Sequence, residues 1–140
     1  MLKKKLIQNL TKKGKAVKGE KIFLQLIKEF QKNSKFNSYL MCQLAFSYLL
    51  PVFKIKKIKK KTRRKKIIRE VPAFIKHFNS RLSMSIKTVI INTVKKKKKF
   101  HKKMYEELLQ TLNKKSSSLD FKITNQKIVS KKKFLVKYFK

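Results

Sequence analysis

The feature that most constrains the fold is the segment between the chain's only two prolines, Pro51 and Pro72. It holds eleven Lys or Arg residues against the single acid Glu70. Residues 52–55 and 67–71 at its two ends are β-prone, which predicts two strands joined by a cationic tip. Because a folded core does not tolerate that density of charge, the tip must point toward an anionic partner.

The net charge is the dominant bulk property, since 41 Lys and Arg against 6 Asp and Glu give +35. Self-repulsion of this size opposes compaction unless a polyanion relieves it. Nucleic acid is the first candidate partner and an anionic membrane surface is the second. The basic residues form four separated clusters, at 12–15, 54–69, 95–103 and 131–133, which is more than one solvated helix face requires.

Enough of the chain is apolar to fold. Apolar residues make up 41%, with eleven Phe and four Tyr, which exceeds what a disordered basic tail contains. We predict a single domain over 1–140, with a basic N-terminal arm (1–15), an extended β-hairpin (51–75) and a basic C-terminal helix or tail (119–140). The longest apolar run, 39–53, is too short for a transmembrane helix and predicts a buried one.

Helical periodicity recurs along the chain, and leucines at helical spacing also mark the N-terminal arm. The expected helices are 18–31, 39–50, 80–94, 104–112 and 124–140. The second is apolar on most faces, so we expect it to be central in the core, with Ser38 as its N-cap. The predicted class is mainly α: a single-domain helical bundle of about five to six helices with a protruding β-hairpin between the second and third helices.

Residues suited to catalysis or metal binding are few. His77 and His101 have no acidic neighbour in sequence. Glu106 and Glu107 are adjacent and do not face each other on a helix, so surface charge near a helix start is the better interpretation. Cys42 is alone, which excludes a disulfide framework and predicts a core position. With no Gly-rich phosphate loop either, we expect no enzyme activity, no metal and no cofactor.

The placement of the charge favours RNA over duplex DNA. DNA is most naturally read by a recognition helix, whereas the densest charge here lies on a predicted hairpin and in loops. Structured RNA, contacted through its shape and backbone from several sides, fits better. We expect no secretory or transit signal in the first residues. The preference for Lys over Arg, with frequent Ile, Phe and Asn, is typical of an AT-rich genome and indicates an organelle-encoded protein or an AT-rich bacterium.

Several short motifs occur in a characteristic order. Residues 10–15 read Leu-Thr-Lys-Lys-Gly-Lys, 71–72 read Val-Pro, 104–108 read Met-Tyr-Glu-Glu-Leu and 134–138 read Phe-Leu-Val-Lys-Tyr. In this order and spacing they resemble the small-subunit ribosomal protein seven family (uS-seven), of bacterial and organellar type, along nearly the whole chain. The hairpin tip departs from the family because its Gly-Gly pair is absent.

The resemblance implies a structural constituent of the small ribosomal subunit that binds the three-prime major (head) domain of the rRNA and nucleates head assembly. It implies a hairpin near the E-site tRNA, the mRNA exit and ribosomal protein eleven, with no small-molecule substrate and no membrane. The expected location is an organellar ribosome, mitochondrial or plastid, and the alternative is the cytoplasm of an AT-rich bacterium.

The residues expected to contact RNA are basic and fall into three groups. The rRNA-binding group is Lys3, Lys4, Lys5, Lys12, Lys13, Lys15, Arg81, Lys87, Lys95, Lys96, Lys97, Lys98, Lys99, Lys102 and Lys103. The hairpin group, facing rRNA, tRNA or mRNA, is Lys56, Lys57, Lys59, Lys60, Lys61, Arg63, Arg64, Lys65, Lys66 and Arg69. The C-terminal group is Lys131, Lys132, Lys133 and Lys137.

Two other functions remain open at this point. Leu2, Leu6 and Leu10 beside basic residues are compatible with a cationic protein that lies on membrane surfaces. A generic nucleic-acid-binding or DNA-compacting protein is the weaker option. The apolar stripes within 18–112 discriminate between these functions, because they should bury one another in a folded domain whereas a membrane-surface peptide needs only one helix.

Overall fold

The computed structural model describes residues 2–11, 13–34, 36–61, 66–94, 99–132 and 134, and for 59–61 and 66–69 only the backbone. Within these residues the chain forms six helices and one two-stranded sheet. The elements in order are α1 (Leu2–Leu10), α2 (Ala16–Asn33), α3 (Ser38–Leu49), β1 (Phe53–Lys61), β2 (Lys66–Phe74), α4 (Phe78–Val94), α5 (Phe100–Leu112) and α6 (Ser117–Lys131). The predicted class is confirmed. Because the N-terminal arm is itself a helix, the hairpin lies between the third and fourth helices of the chain.

The N-terminal arm packs against α2 and α4 as a helix. Its leucine stripe, Leu2, Leu6 and Leu10, is buried in the core. Gly19 of α2 allows α1 to come close, because an added Cβ would lie 3.3 Å from the Ile7 carbonyl oxygen. The leucines that suggested membrane binding therefore stabilise the fold and are not exposed.

The core lies among α1 to α5, and α3 contributes only one face to it. Its C-cap residue is Leu50, so the helix stops before Pro51 as predicted, but its N-cap is Asn37, whose side chain accepts from the Tyr39 amide at 3.1 Å. The buried side chains of α3 are Ser38, Cys42, Ala45, Phe46 and Leu49. The exposed large side chains of α3 are Tyr39, Leu40, Leu44 and Tyr48. The predicted central position in the core therefore holds for one face of α3 only, because the neighbouring helices leave the opposite face exposed.

The hairpin pairs its strands in antiparallel register from Phe53 opposite Phe74 to Lys61 opposite Lys66. At its base the rings of Phe53 and Phe74 meet edge to face, with centroids 5.7 Å apart. The Ile75 amide donates to the Val52 carbonyl at 3.0 Å and extends the pairing by one bond. The two predicted strands are confirmed at both ends of the segment.

A buried carboxylate sets the start of α6. Glu107 of α5 is fully buried, and its Oε1 accepts from Ser117 Oγ at 2.9 Å, Ser118 N at 3.0 Å and Ser118 Oγ at 2.8 Å. Ser116 is the N-cap, and its Oγ accepts from the Leu119 amide at 3.1 Å. The prediction of Glu107 as a surface charge is wrong, because the turn after α5 folds back and brings the Ser118 amide and the hydroxyls of Ser117 and Ser118 onto its carboxylate.

Candidate nucleic-acid interface

Two adjoining cavities form one groove at the base of the hairpin, with volumes of about 350 and 390 Å³. They share three lining residues, Lys54, Ile75 and Ser80. We call this concavity the basic groove. It is lined by the lysines Lys5, Lys54, Lys56, Lys76 and Lys87, the polar residues His77, Asn79, Ser80 and Ser83, and the apolar residues Ala73, Phe74, Ile75 and Met84.

Separate segments converge on the basic groove because of ordinary strand and helix periodicity. Lys54 and Lys56 alternate along β1 and therefore lie on one face of the hairpin. Ser80, Ser83 and Lys87 follow one another at helical spacing along one side of α4. Lys5 comes from α1, and Lys76 comes from the link between β2 and α4. The groove is thus built where α1, the hairpin base and the first half of α4 meet.

The groove is strongly cationic. No acidic residue among the described residues lines either cavity. Four of its five lysines are exposed, and Lys5 is half-buried. Lysine ammonium groups act as point charges for phosphate, and Ser and Asn side chains add neutral hydrogen bonds to phosphate and sugar oxygens. The arrangement is suited to holding a nucleic-acid backbone without reading the bases.

Arg81, which we expected to contact rRNA, donates a hydrogen bond within the protein. It is half-buried, and its Nε donates to the Pro51 carbonyl at 2.9 Å. Beside it, Lys122 Nζ donates to the Tyr48 carbonyl near the end of α3. Burial lowers the pKa of Lys122, and the positive charge of Arg81 lowers it further. Both cations hold the junction of α3 and β1, where the end of a helix favours positive charge.

Glu70 links the hairpin to α6. Its carboxylate lies 3.5 Å from Lys57 Nζ, on the directly opposite residue of β1, and 3.4 Å from Lys132 Nζ at the end of α6. Lys57 and Lys132 were both predicted to face RNA, and in the structure each forms an ion pair within the protein. Lys103 is only 7% exposed, so little of its side chain is accessible to a phosphate.

The remaining predicted residues divide into three sets. Exposed lysines that do not line the basic groove are Lys3, Lys4, Lys13, Lys15, Lys99, Lys102 and Lys131. Lys12, Arg63, Arg64, Lys65, Lys95, Lys96, Lys97, Lys98, Lys133 and Lys137 lie outside the described residues. For Lys59, Lys60, Lys61, Lys66 and Arg69 the backbone alone is described, within β1 and β2. Of the predicted residues, the structure brings Lys5, Lys56 and Lys87 together in the groove.

Several groove residues were not predicted as RNA contacts. Lys54, Lys76, His77, Asn79, Ser80 and Ser83 line the groove but lie outside the three predicted groups. The pair Lys76-His77, directly before the start of α4, was the one feature of the local sequence that indicated a binding surface here. Lys5 of α1 was predicted as an RNA contact, but the local sequence could not predict that it lines this groove, because its position depends on how α1 packs against α4.

The other chemically distinctive residues have structural positions. Cys42 is fully buried, as predicted, and burial raises the pKa of its thiol to about 12. His101 Nε2 lies 3.8 Å from Glu29 Oε1, between α5 and α2. Among the described residues, no group of three or more His, Cys, Asp and Glu could hold a metal ion. None of the helices in that part of the chain is both long and apolar enough to span a bilayer.

Comparison with known families assigns the chain to one family. A family model described as ribosomal protein S7p/S5e matches residues 1–133, which include all six helices, the hairpin and every residue of the basic groove. A search among curated proteins finds no match. The resemblance seen in the sequence motifs is therefore confirmed. The chain belongs to the ribosomal protein S7p/S5e family and is a structural, RNA-binding protein of the small ribosomal subunit, not an enzyme.

Proposed function

We propose that the chain binds the three-prime major (head) domain of the small-subunit rRNA through the basic groove and nucleates assembly of the subunit head. The groove carries this proposal, because it collects five lysines from three parts of the fold with no acid among its described lining residues. Family membership supports the class of partner. The expected contacts are to phosphates, so the affinity should depend strongly on salt.

The hairpin extends this proposed surface. We propose that its cationic outer part, residues 56–69, faces rRNA, the E-site tRNA and the exiting mRNA, near ribosomal protein eleven. Its support is the charge of the segment and the antiparallel pairing, which continues from the groove to Lys61 opposite Lys66. Lys13, Lys15, Lys99 and Lys102 are exposed and remain proposed rRNA contacts.

We further propose one domain over 1–140 and a location in an organellar ribosome, mitochondrial or plastid. The shared core among α1 to α5 supports the single domain. The Lys-rich, Arg-poor composition supports an AT-rich genome, and an AT-rich bacterium is the alternative source.

The first test compares RNA with DNA. The full chain should bind a transcript of its own organism's small-subunit head domain more tightly than duplex DNA of equal length at matched moderate salt. Filter binding or fluorescence anisotropy measures both affinities. Equal affinities would reduce the interaction to charge alone and would overturn the specific proposal.

The second part of the test concerns the groove. Replacing Lys54, Lys76 and Lys87 with Ser should weaken transcript binding and lower the slope of log K against log salt by about 2, because each phosphate contact contributes about 0.7–0.9. The matched control replaces Lys21, Lys28 and Lys32, three exposed lysines of α2, and removes the same charge. If both variants lose the same affinity and slope, the basic groove is not the interface.

A further inference from the structure

A separate cavity of about 380 Å³ lies near the C-terminal end of α4, and its lining is more apolar than that of the basic groove. Its apolar lining comes from four helices and consists of Leu10, Ile22, Ile90, Val94 and Phe100. On its rim lie three lysines, Lys13, Lys15 and Lys18, and no acidic residue of the described chain lines it. We call it the apolar pocket. A ligand that joins a flat apolar ring to an anionic group fits an apolar pocket bordered by lysines.

Two of the rim lysines, Lys13 and Lys15, lie in a tight turn. Lys13 and Gly14 both adopt left-handed backbone conformations, with φ of 52° and 74°, and the Ala16 amide donates to the Gly14 carbonyl at 3.0 Å. A non-glycine residue in this region is uncommon and unfavourable. The turn joins α1 to α2 and keeps Lys13 and Lys15 beside the pocket mouth.

The pocket and the basic groove adjoin along the contact between α1 and α4. Asn9 lines the pocket, its Nδ2 donates to the Lys5 carbonyl at 2.8 Å, and its Oδ1 accepts from Ser83 Oγ at 3.2 Å. Lys5 and Ser83 both line the basic groove. Asn9 therefore lies between the pocket and two residues of the groove.

From this geometry we propose that the apolar pocket takes one unstacked nucleobase of the RNA whose backbone lies in the basic groove. This inference rests on the proposed function. Phe100 offers an aromatic surface for stacking, and the rim lysines bind the adjoining phosphates. Asn9 is the one neutral polar residue of the described lining, and its amide is bonded to Lys5 and Ser83. Because the rest of the lining is apolar or lysine, the pocket offers no pattern of paired donors and acceptors for one base edge, and it should accept any base.

The test uses the full chain and two probes of about 12 nucleotides, an adenine RNA and its abasic counterpart with the same phosphates. The adenine RNA should bind about tenfold more tightly than the abasic chain. Uridine and cytidine oligomers should also bind more tightly than the abasic chain, because the pocket does not select the base.

Two tryptophan variants localise the effect. Val94→Trp places an indole at the pocket mouth, whereas Ile91→Trp places one on the same helix away from the pocket; the two native side chains are 57% and 59% exposed. The preference for adenine over abasic RNA should fall about tenfold in Val94→Trp and persist in Ile91→Trp. Because the native chain has no Trp, the emission maximum of each variant reports whether its indole is buried.

The outcomes separate this proposal from the proposed function. Equal binding of adenine and abasic RNA by the native chain, with the groove variant weakening both, overturns the base pocket and leaves the RNA interface standing. An unchanged preference in Val94→Trp with a buried indole also overturns the pocket and favours an apolar protein segment as its occupant. Failure of the native chain to bind either probe overturns the base pocket, whereas failure to bind the head-domain transcript overturns the proposed function.

Discussion

Glu107 shows how a single acid in a highly cationic chain is used for structure. It is completely buried and accepts three hydrogen bonds from the first turn of α6. A carboxylate in this place is stabilised by hydrogen bonds from the amide and hydroxyl groups and by the positive end of the helix dipole. The start of α6 therefore depends on a residue of α5.

We predict that Glu107→Gln lowers the free energy of unfolding by about 1–3 kcal/mol, because the neutral amide gives up charge-assisted hydrogen bonds. Urea denaturation followed by circular dichroism measures the change. Glu20→Gln, at an exposed position on α2, removes the same charge and should change stability far less. Equal effects of the two substitutions would show that net charge, and not the capping contact, accounts for the loss.

At the scale of elements, the hairpin is a projection whose attachments lie at its base, where Val71, Pro72 and Ala73 are buried. Arg81 Nε holds the Pro51 carbonyl, the Phe53 and Phe74 rings meet at the base, and Glu70 reaches Lys132. The Glu70 side chain is 38% exposed, so its ion pairs with Lys57 and Lys132 contribute little to stability. The Arg81 bond is the better-protected attachment.

We predict that Arg81→Met loosens the hairpin base. Loss of a hydrogen bond from a charged donor, worth about 1.5–3 kcal/mol, should speed amide exchange at the base by about tenfold or more. The Ile75 amide, which bonds the Val52 carbonyl, is the reporter for hydrogen-exchange mass spectrometry. Lys87→Met on the same helix also removes one charge but should leave this exchange rate unchanged. Unaltered exchange in Arg81→Met would mean that the remaining contacts suffice.

The elements were predictable where apolar periodicity is strong and less so at their ends. The stripe of α2 and the strands near both prolines were identified from local pattern alone. α6 begins at Ser117, seven residues before the predicted start at 124, because its first turn is fixed by Ser116 and by Glu107 from another helix. The basic groove was only partly predictable for the same reason, since Lys5 reaches it through the packing of α1 against α4.

At the scale of the whole molecule, the charge of +35 works against the fold. Opposing this repulsion are the core among α1 to α5 and the ion pairs of Glu70 with Lys57 and Lys132. A polyanion bound to the surface would remove most of the repulsion. The folded state should therefore be more stable in the assembled ribosome than as a free chain.

We predict that the urea midpoint of the free chain rises as NaCl increases from about 0.02 M to about 0.3 M, because the Debye length falls well below the spacing of distant charges. A variant with Lys21, Lys28 and Lys32 replaced by Glu lowers the net charge by six and should respond less to salt. A midpoint that falls with salt would mean that the ion pairs outweigh the repulsion.

The antiparallel pairing of the hairpin also determines how its length can vary. Side chains alternate between the two faces of a strand, so adding one residue to one strand reverses every position beyond it, whereas adding two preserves the facing of all of them. Phe53 opposite Phe74 and Glu70 beside Lys57 fix the register near the base, where Lys54 and Lys56 face the groove. Insertions beyond these pairs leave the groove unchanged, and they preserve the facing of the outer residues when each strand grows in steps of two. The reach of the hairpin can thus be adjusted during evolution independently of the binding surface at its base.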